Sequence, residues 1–244
     1  EIIKKSPSGS DFHIFFSHFH YDHIQGLPFF TPAYIPGNRI FIHGGHDNIE
    51  EFLRDQMRTP FFPIDFDTFQ AEFIFHKHSH GETVNVCNAE IKVHKQNHPG
   101  DSYGFRIQQG NKSVIYSTDA EHPNIAHGKK YDYLDFIMGS NLLIFDAPYS
   151  HSESITTREH WGHSSYVMGV ELAARGEVEK LAIFHHDPNL SDKELCDFHG
   201  HTKKFLERSR LAVREAKPGI PGAPSPRCHP YEIIMSYDGL SIEV

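Results

Sequence analysis

The stretch His18-Phe19-His20-Tyr21-Asp22-His23 crowds four metal-binding side chains into six residues, directly behind the apolar run Phe12-His13-Ile14-Phe15-Phe16. Imidazoles and a carboxylate gathered at the end of a buried strand leave the desolvated charge of Asp22 uncompensated unless a cation sits among them. Residues at i and i+2 share one side of an extended chain, so His18 and His20 can serve one ion. Asp22 and His23 lie past the strand end and turn toward a second position. The bland reading is a solvated histidine-rich loop. With 21 histidines in 244 residues a chance H-x-H is cheap, but a chance H-x-H-x-D-H directly after a β-type run is not. The cluster is read as a metal site.

Further candidates sit at the ends of later apolar runs. The strand Ala89 to Gln96 runs into Asn97-His98-Pro99-Gly100, and a strand Tyr103 to Gln108 follows. Ser113 to Thr118 leads to Asp119, and Asn141 to Phe145 leads to Asp146. Leu181 to Phe184 delivers His185-His186-Asp187-Pro188. Glu159-His160-Trp161-Gly162-His163-Ser164-Ser165 opens a helix whose apolar face is Val167, Val170, Leu172 and Ala174, with Gly176 as its stop. Taken singly, each has an ordinary reading as a surface histidine, a cap or a turn residue.

Together with the first cluster, these segments resemble the metallo-β-lactamase superfamily of binuclear metallohydrolases over nearly the whole chain. The resemblance implies an α/β fold, a four-layer αβ/βα sandwich, apparently lacking its first strands at the N-terminus, because the strands that open family members have no counterpart before Phe12. It implies His18, His20 and His98 on one metal, Asp22, His23 and His185 on the other, and Asp119 shared. His186 is the fallback ligand if the register is one residue off. Asp146 resembles an aspartate that hydrogen-bonds a ligating imidazole. His163 resembles the Gly-His-Ser-Thr histidine of the RNase Z-like and phosphodiesterase branch, which faces the scissile phosphate without binding metal; here the motif continues Ser164-Ser165.

Composition narrows the function. A net charge of −9 and a pI near 6.1 argue against a broad polyanion-binding face, so a long nucleic acid is disfavoured. Cys87, Cys196 and Cys228 are far apart, which indicates neither a disulfide framework nor a zinc–thiolate site. No apolar run approaches the length needed to span a bilayer, and residues 1–10 lack the apolar core of a signal peptide, so the expectation is a soluble cytoplasmic protein.

The rest of the chain reads as one domain, 1–244. Residues 47–57 show helical spacing with Asp47 as N-cap. Phe61 to Phe75 reads as sheet packing. His76-Lys77-His78-Ser79-His80 reads as the tip of a β-turn between strands 71–75 and 83–86, with weak metal binding at most. Ser191-Asp192-Lys193-Glu194 is a capping box. The proline-rich segment 217–230 is a loop insertion that could form a lid or a homo-oligomer contact. Tyr231 to Met235 and Leu240 to Val244 flank Asp238-Gly239 as a hairpin.

The implied activity is hydrolysis by two divalent ions, zinc first, with manganese or iron tolerated by the same donors. A metal-bridging hydroxide would attack the substrate, with Asp22 and His163 as the catalytic side chains. His163 suits a small or cyclic phosphodiester better than a carbonyl centre. Lactone, thioester or β-lactam hydrolysis on the same platform is the alternative. A di-iron redox protein is a weaker one, since those relatives usually carry glutamate where His20 stands and this chain has no flavin-binding segment.

Overall fold

The computed structural model describes residues 8–122, 131–150, 154, 156, 158, 160–215, 230 and 232–244, with the side chains of 209–215 left aside. The chain divides into two compact units, Glu1–Glu82 and Thr83–Val244.

The first unit is a three-stranded parallel sheet, β1 (Asp11–Phe15), β2 (Arg39–Gly44) and β3 (Glu72–Lys77), in the order β1-β2-β3. Period-2 alternation sends Phe12, Ile14, Ile40, Ile42, Phe73 and Phe75 to one face. There they pack with Leu53 and Met57 of the segment containing α2 (Ile49–Gln56), and with Phe66 and Phe69. Phe66 and Phe69 meet the packing expectation for their stretch, whereas Phe61 stays exposed. Asp47 is not the N-cap of α2. That position is Asn48, whose side chain makes no cap bond, and Asp47 instead pairs with Lys77 of β3.

The opposite face carries His13, Phe15, Phe41, His43 and His76 as near-parallel rings, with interplanar angles of 7° for Phe15–His43 and 15° for His43–His76. His13 Nδ1 lies 3.0 Å from His43 Nε2, His43 Nδ1 2.9 Å from His78 Nε2, and His78 Nδ1 2.9 Å from Glu82 Oε1. The hairpin expected around His76–His80 is therefore corrected. β3 pairs with β2 in parallel and the His78 amide continues that pairing by donating to the Gly44 carbonyl. The strand at 83–86 belongs to a different sheet. The histidine rings stack and bond one another instead of converging on a point.

The second unit is a seven-stranded sheet in the order β10-β9-β8-β7-β6-β5-β4. β4 (Thr83–Val86), β5 (Ala89–Gln96), β6 (Ser102–Gln109) and β7 (Lys112–Ser117) form an antiparallel meander. β7, β8 (Leu142–Asp146), β9 (Lys180–Phe184) and β10 (Glu232–Met235) run parallel. Parallel neighbours need crossovers, and helices supply them. They are α3 (Asp132–Ile137), α4 (Tyr166–Arg175) and α5 (Asp192–Glu215). Ile115, Leu143, Phe145, Leu181 and Ile183 of the sheet are buried against Phe136, Val170, Leu172 and Leu206 of these helices. Ser165 caps α4 through a bond from the Met168 amide. At α5 the Ser191 amide donates to Glu194 Oε2 at 2.8 Å and the Glu194 amide to Ser191 Oγ at 3.4 Å, which is the expected capping box.

This topology positions the chemistry. β5, β7, β8 and β9 point the same way, so their C-terminal ends emerge at one sheet edge, and His98, Asp119, Asp146 and His185 lie there. The expected terminal hairpin is corrected as well. β10 pairs with β9 in parallel after the α5 crossover, with Ile233 buried, and residues 240–244 form no strand. Segment 217–229, with Cys228, lies outside the described residues. Cys87 and Cys196 are exposed thiols. Among the described residues no helix is long and apolar enough to cross a membrane.

Candidate metal centre

In the first unit the chain leaves β1 extended and turns at His20 into α1 (Tyr21–Ile24), His20 being the N-cap with ψ 151°. The change from a period of two to a helical turn swings Asp22 and His23 out of the line of His18 and His20. His18 is 1% exposed; its Nε2 lies 3.0 Å from His20 Nδ1 and its Nδ1 3.2 Å from Ser17 Oγ. Asp22 Oδ2 lies 3.1 Å from His23 Nε2, and the His18 and His23 ring centroids are 4.2 Å apart. The motif thus forms two adjacent donor pairs.

In the second unit the two oxygens of Asp119 face different imidazoles. Oδ2 is 3.5 Å from His98 Nε2, and Oδ1 is 3.5 Å from His185 Nε2. Asp119 and His185 both adopt left-handed backbone, φ 52° and φ 58°, Asp119 two residues after β7 and His185 directly after β9. For residues with a Cβ that conformation costs on the order of 1–2 kcal/mol. Asp119, His163 and His185 present donor atoms within 4.8 Å of one another.

His98 Nδ1 donates to the Gly162 carbonyl at 2.9 Å, which makes Nε2 the unprotonated nitrogen facing Asp119. Gly162 has φ +84°, and a Cβ there would lie 2.1 Å from His98 Nδ1, so only glycine permits the approach. His163 Nδ1 donates to Asp146 Oδ2 at 2.9 Å, and the same oxygen accepts the Ala120 amide at 3.2 Å. Burial pushes the Asp146 carboxyl pKa up, and the His163 hydrogen bond opposes it. His185 Nδ1 is 3.8 Å from Asp146 Oδ1. His186, the fallback, turns away: its Nε2 donates to the Ser236 carbonyl at 3.0 Å.

Sequence reasoning missed the support beneath Asp119. Thr118 Oγ1 donates to Asp119 Oδ1 at 2.5 Å, Gln96 Nε2 to the Thr118 carbonyl at 2.6 Å, and Ser117 Oγ to Gln96 Oε1 at 2.6 Å. It also missed Glu121, whose carboxylate accepts the amides of His160 and Gly162, each at 3.1 Å. A buried glutamine in a strand that leads to a candidate ligand was the one available signal.

These residues fit divalent cations. Asp146 Oδ1 is buried with no hydrogen-bond partner among the described residues. The charged side chains acting most on Asp146 are His163, Asp119 and His185, with no lysine or arginine among them. Two adjacent buried carboxylates surrounded by imidazoles call for positive charge from outside the chain.

A β-lactamase superfamily domain matches residues 7–186. Ribonuclease Z of Oceanobacillus iheyensis is 22% identical over an alignment of 245 residues, spanning 82% of this chain and 78% of the relative. Ribonuclease Z of Sulfolobus acidocaldarius is 23% identical over 237, spanning 80% and 76%. Among solved structures, the metallo-β-lactamase fold protein YhfI from Bacillus subtilis superposes with a TM-score of 0.62 at 14% identity, covering 93% of this chain and 75% of that one. A diphosphatase of the PhnP family superposes at 0.56 and 19% identity, covering 95% and 70%. The chain therefore belongs to the metallo-β-lactamase superfamily and is a metal-dependent hydrolase.

Proposed function

We propose that this hydrolase is a phosphodiesterase acting on a small or cyclic phosphodiester. By the family motif, His18, His20 and His98 would hold one divalent ion and Asp22, His23 and His185 the other, with Asp119 available to both. Zinc suits a mostly imidazole set. Such ions, when bound, supply Lewis acidity and lower the pKa of water toward neutrality.

The observation that carries the phosphodiester reading is the hydrogen bond from His163 Nδ1 to Asp146 Oδ2, made beside Asp119 and His185. Asp146 holds the ring by Nδ1, so Nε2 lies on the side of the ring away from Asp146. From there Nε2 can bond a non-bridging phosphate oxygen or pass a proton to a leaving alkoxide. Asp22, exposed and 3.1 Å from His23 Nε2, would serve as a ligand and as an acceptor for a proton of the attacking water. RNA is the second reading, favoured by the ribonuclease Z relatives and opposed by the net charge of −9.

His163→Ala separates phosphodiester from carboxyl chemistry. Turnover of bis(p-nitrophenyl) phosphate and 2′,3′-cyclic nucleotides should fall at least tenfold in this variant, while any lactonase or thioesterase activity should hold. Loss confined to the carboxyl substrates would reverse the assignment, and cleavage of a pre-tRNA in preference to both would move it to RNA.

A further inference from the structure

We infer that Glu121 is a positioning residue: its carboxylate clamps the turn 160–162, and through that turn holds both His98 and His163 in place. The inference rests on the reading of these histidines as parts of one phosphodiesterase site.

Glu121 lies two residues beyond Asp119, and its backbone is tied to the loop that bears His98. Its amide donates to the Asn97 carbonyl at 2.9 Å, and Asn97 Nδ2 donates back to the Glu121 carbonyl at 3.4 Å. From that anchor its Oε1 accepts the His160 amide and its Oε2 the Gly162 amide, both at 3.1 Å. The side chain is only 20% exposed. Bonds to a carboxylate are roughly twice as strong as neutral ones; here the Gly162 bond is part-buried and the His160 bond lies at the surface.

The turn needs such support. His160 and Gly162 both have left-handed backbone, φ 67° and φ 84°, and the Trp161 amide between them donates to the Arg158 carbonyl at 3.2 Å, a turn rather than a strand ladder. Its far side is committed to the site. The Gly162 carbonyl fixes the Nδ1 tautomer of His98 at 2.9 Å, and the next residue is His163, bonded to Asp146. Ser164 Oγ completes the closure by donating to the Ala120 carbonyl at 2.7 Å. Glu121 is thus a charged side chain that, like Asp146, joins the loop after β7 to the loop before α4. Without it, the Gly162 carbonyl can drift from His98 and His163 from its bond to Asp146.

The test uses the zinc-loaded full chain with E121Q, which keeps the size and loses one acceptor oxygen, alongside E121D, H163A and E121Q/H163A. Zinc affinity is read by competition with a chromophoric chelator, and kcat and KM with bis(p-nitrophenyl) phosphate. E121Q is expected to weaken zinc binding and lower kcat by roughly ten- to a hundredfold, the usual cost of removing an outer-shell partner, with KM little changed. E121D should fall between E121Q and the wild type. In the H163A background E121Q should cost less further kcat than in the wild type, because the part transmitted through His163 is already lost, while the weakening of zinc binding through His98 should persist. Wild-type zinc affinity in E121Q, together with a kcat loss that multiplies with that of H163A, overturns the inference. If the wild type turns over no phosphodiester, the substrate reading fails while the zinc measurement still decides the role of Glu121. Amide exchange in the wild type needs no variant: the His160 and Gly162 amides should be protected, and fast exchange at both refutes the clamp.

Discussion

Asp146 Oδ2 receives hydrogen bonds from both His163 Nδ1, at 2.9 Å, and the Ala120 amide, at 3.2 Å, so one buried oxygen ties the loop after β7 to the histidine before α4. Asp146→Asn keeps the shape but offers either an amide that repels both donors or one neutral acceptor. Phosphodiester kcat should drop by roughly ten- to a hundredfold. Combined with His163→Ala the loss should be no larger than that of His163→Ala alone, which steady-state kinetics on the double variant would check.

Gly162→Ala places a methyl group in the His98 ring, at 2.1 Å from Nδ1, and imposes φ +84° on a residue with a Cβ. The turn must shift, and the Gly162 carbonyl goes with it. Zinc content after dialysis should fall while the circular dichroism spectrum stays that of a folded chain. Full zinc retention would mean that the carbonyl does not hold His98.

The adjacent histidines after β9 should separate cleanly. His185→Ala should abolish metal-dependent turnover. His186→Ala should leave turnover near wild type and cost about 1 kcal/mol of stability, the value of its bond to the Ser236 carbonyl. Chemical denaturation and kinetics on the two variants check both statements.

Acid should destabilise the first unit through His43. This ring is stacked between Phe15 and His76, faces His13 and His78, and is held to a pKa of about 3 by burial and then by the neighbouring histidines, against 6.5 for an ordinary imidazole. The unfolded chain binds the proton that the folded chain refuses. Stability from this group is therefore complete above pH 6.5 and falls as pH drops toward 3, by at most about 1.4 kcal/mol per pH unit. Buried His122, also held near 3, adds a slope of the same sign in the second unit. Urea midpoints between pH 7 and 4 should fall for the wild type and fall less steeply for His43→Phe. Identical slopes would remove His43 as the cause.

Local pattern carried most of what could be read in advance. β1, β5, β7, β8 and β9 announce themselves as apolar or alternating runs, and the candidate ligands follow directly, so His98, Asp119, Asp146 and His185 could be placed at strand ends without knowing which strands pair. Pairing was the part that local pattern could not carry. His76 and His78 look like a turn until β2 is seen beside β3, and the last strand looks like half a hairpin until α5 returns it to β9. The supports escaped for the same reason. Glu121 meets Gly162 across 41 residues and Gln96 meets Thr118 across 22, distances over which no spacing rule operates. Asp47 sits one residue before the N-cap, Asn48, and pairs instead with Lys77, 30 residues away.

The proposed phosphodiesterase activity depends on metals bound through Asp119. Its most direct test is release of p-nitrophenol from bis(p-nitrophenyl) phosphate by metal-stripped protein reconstituted with zinc or manganese, beside Asp119→Ala treated identically. Turnover should require the metal and vanish in the variant. No turnover by wild-type protein with two metals demonstrably bound, or equal turnover by Asp119→Ala, would contradict it.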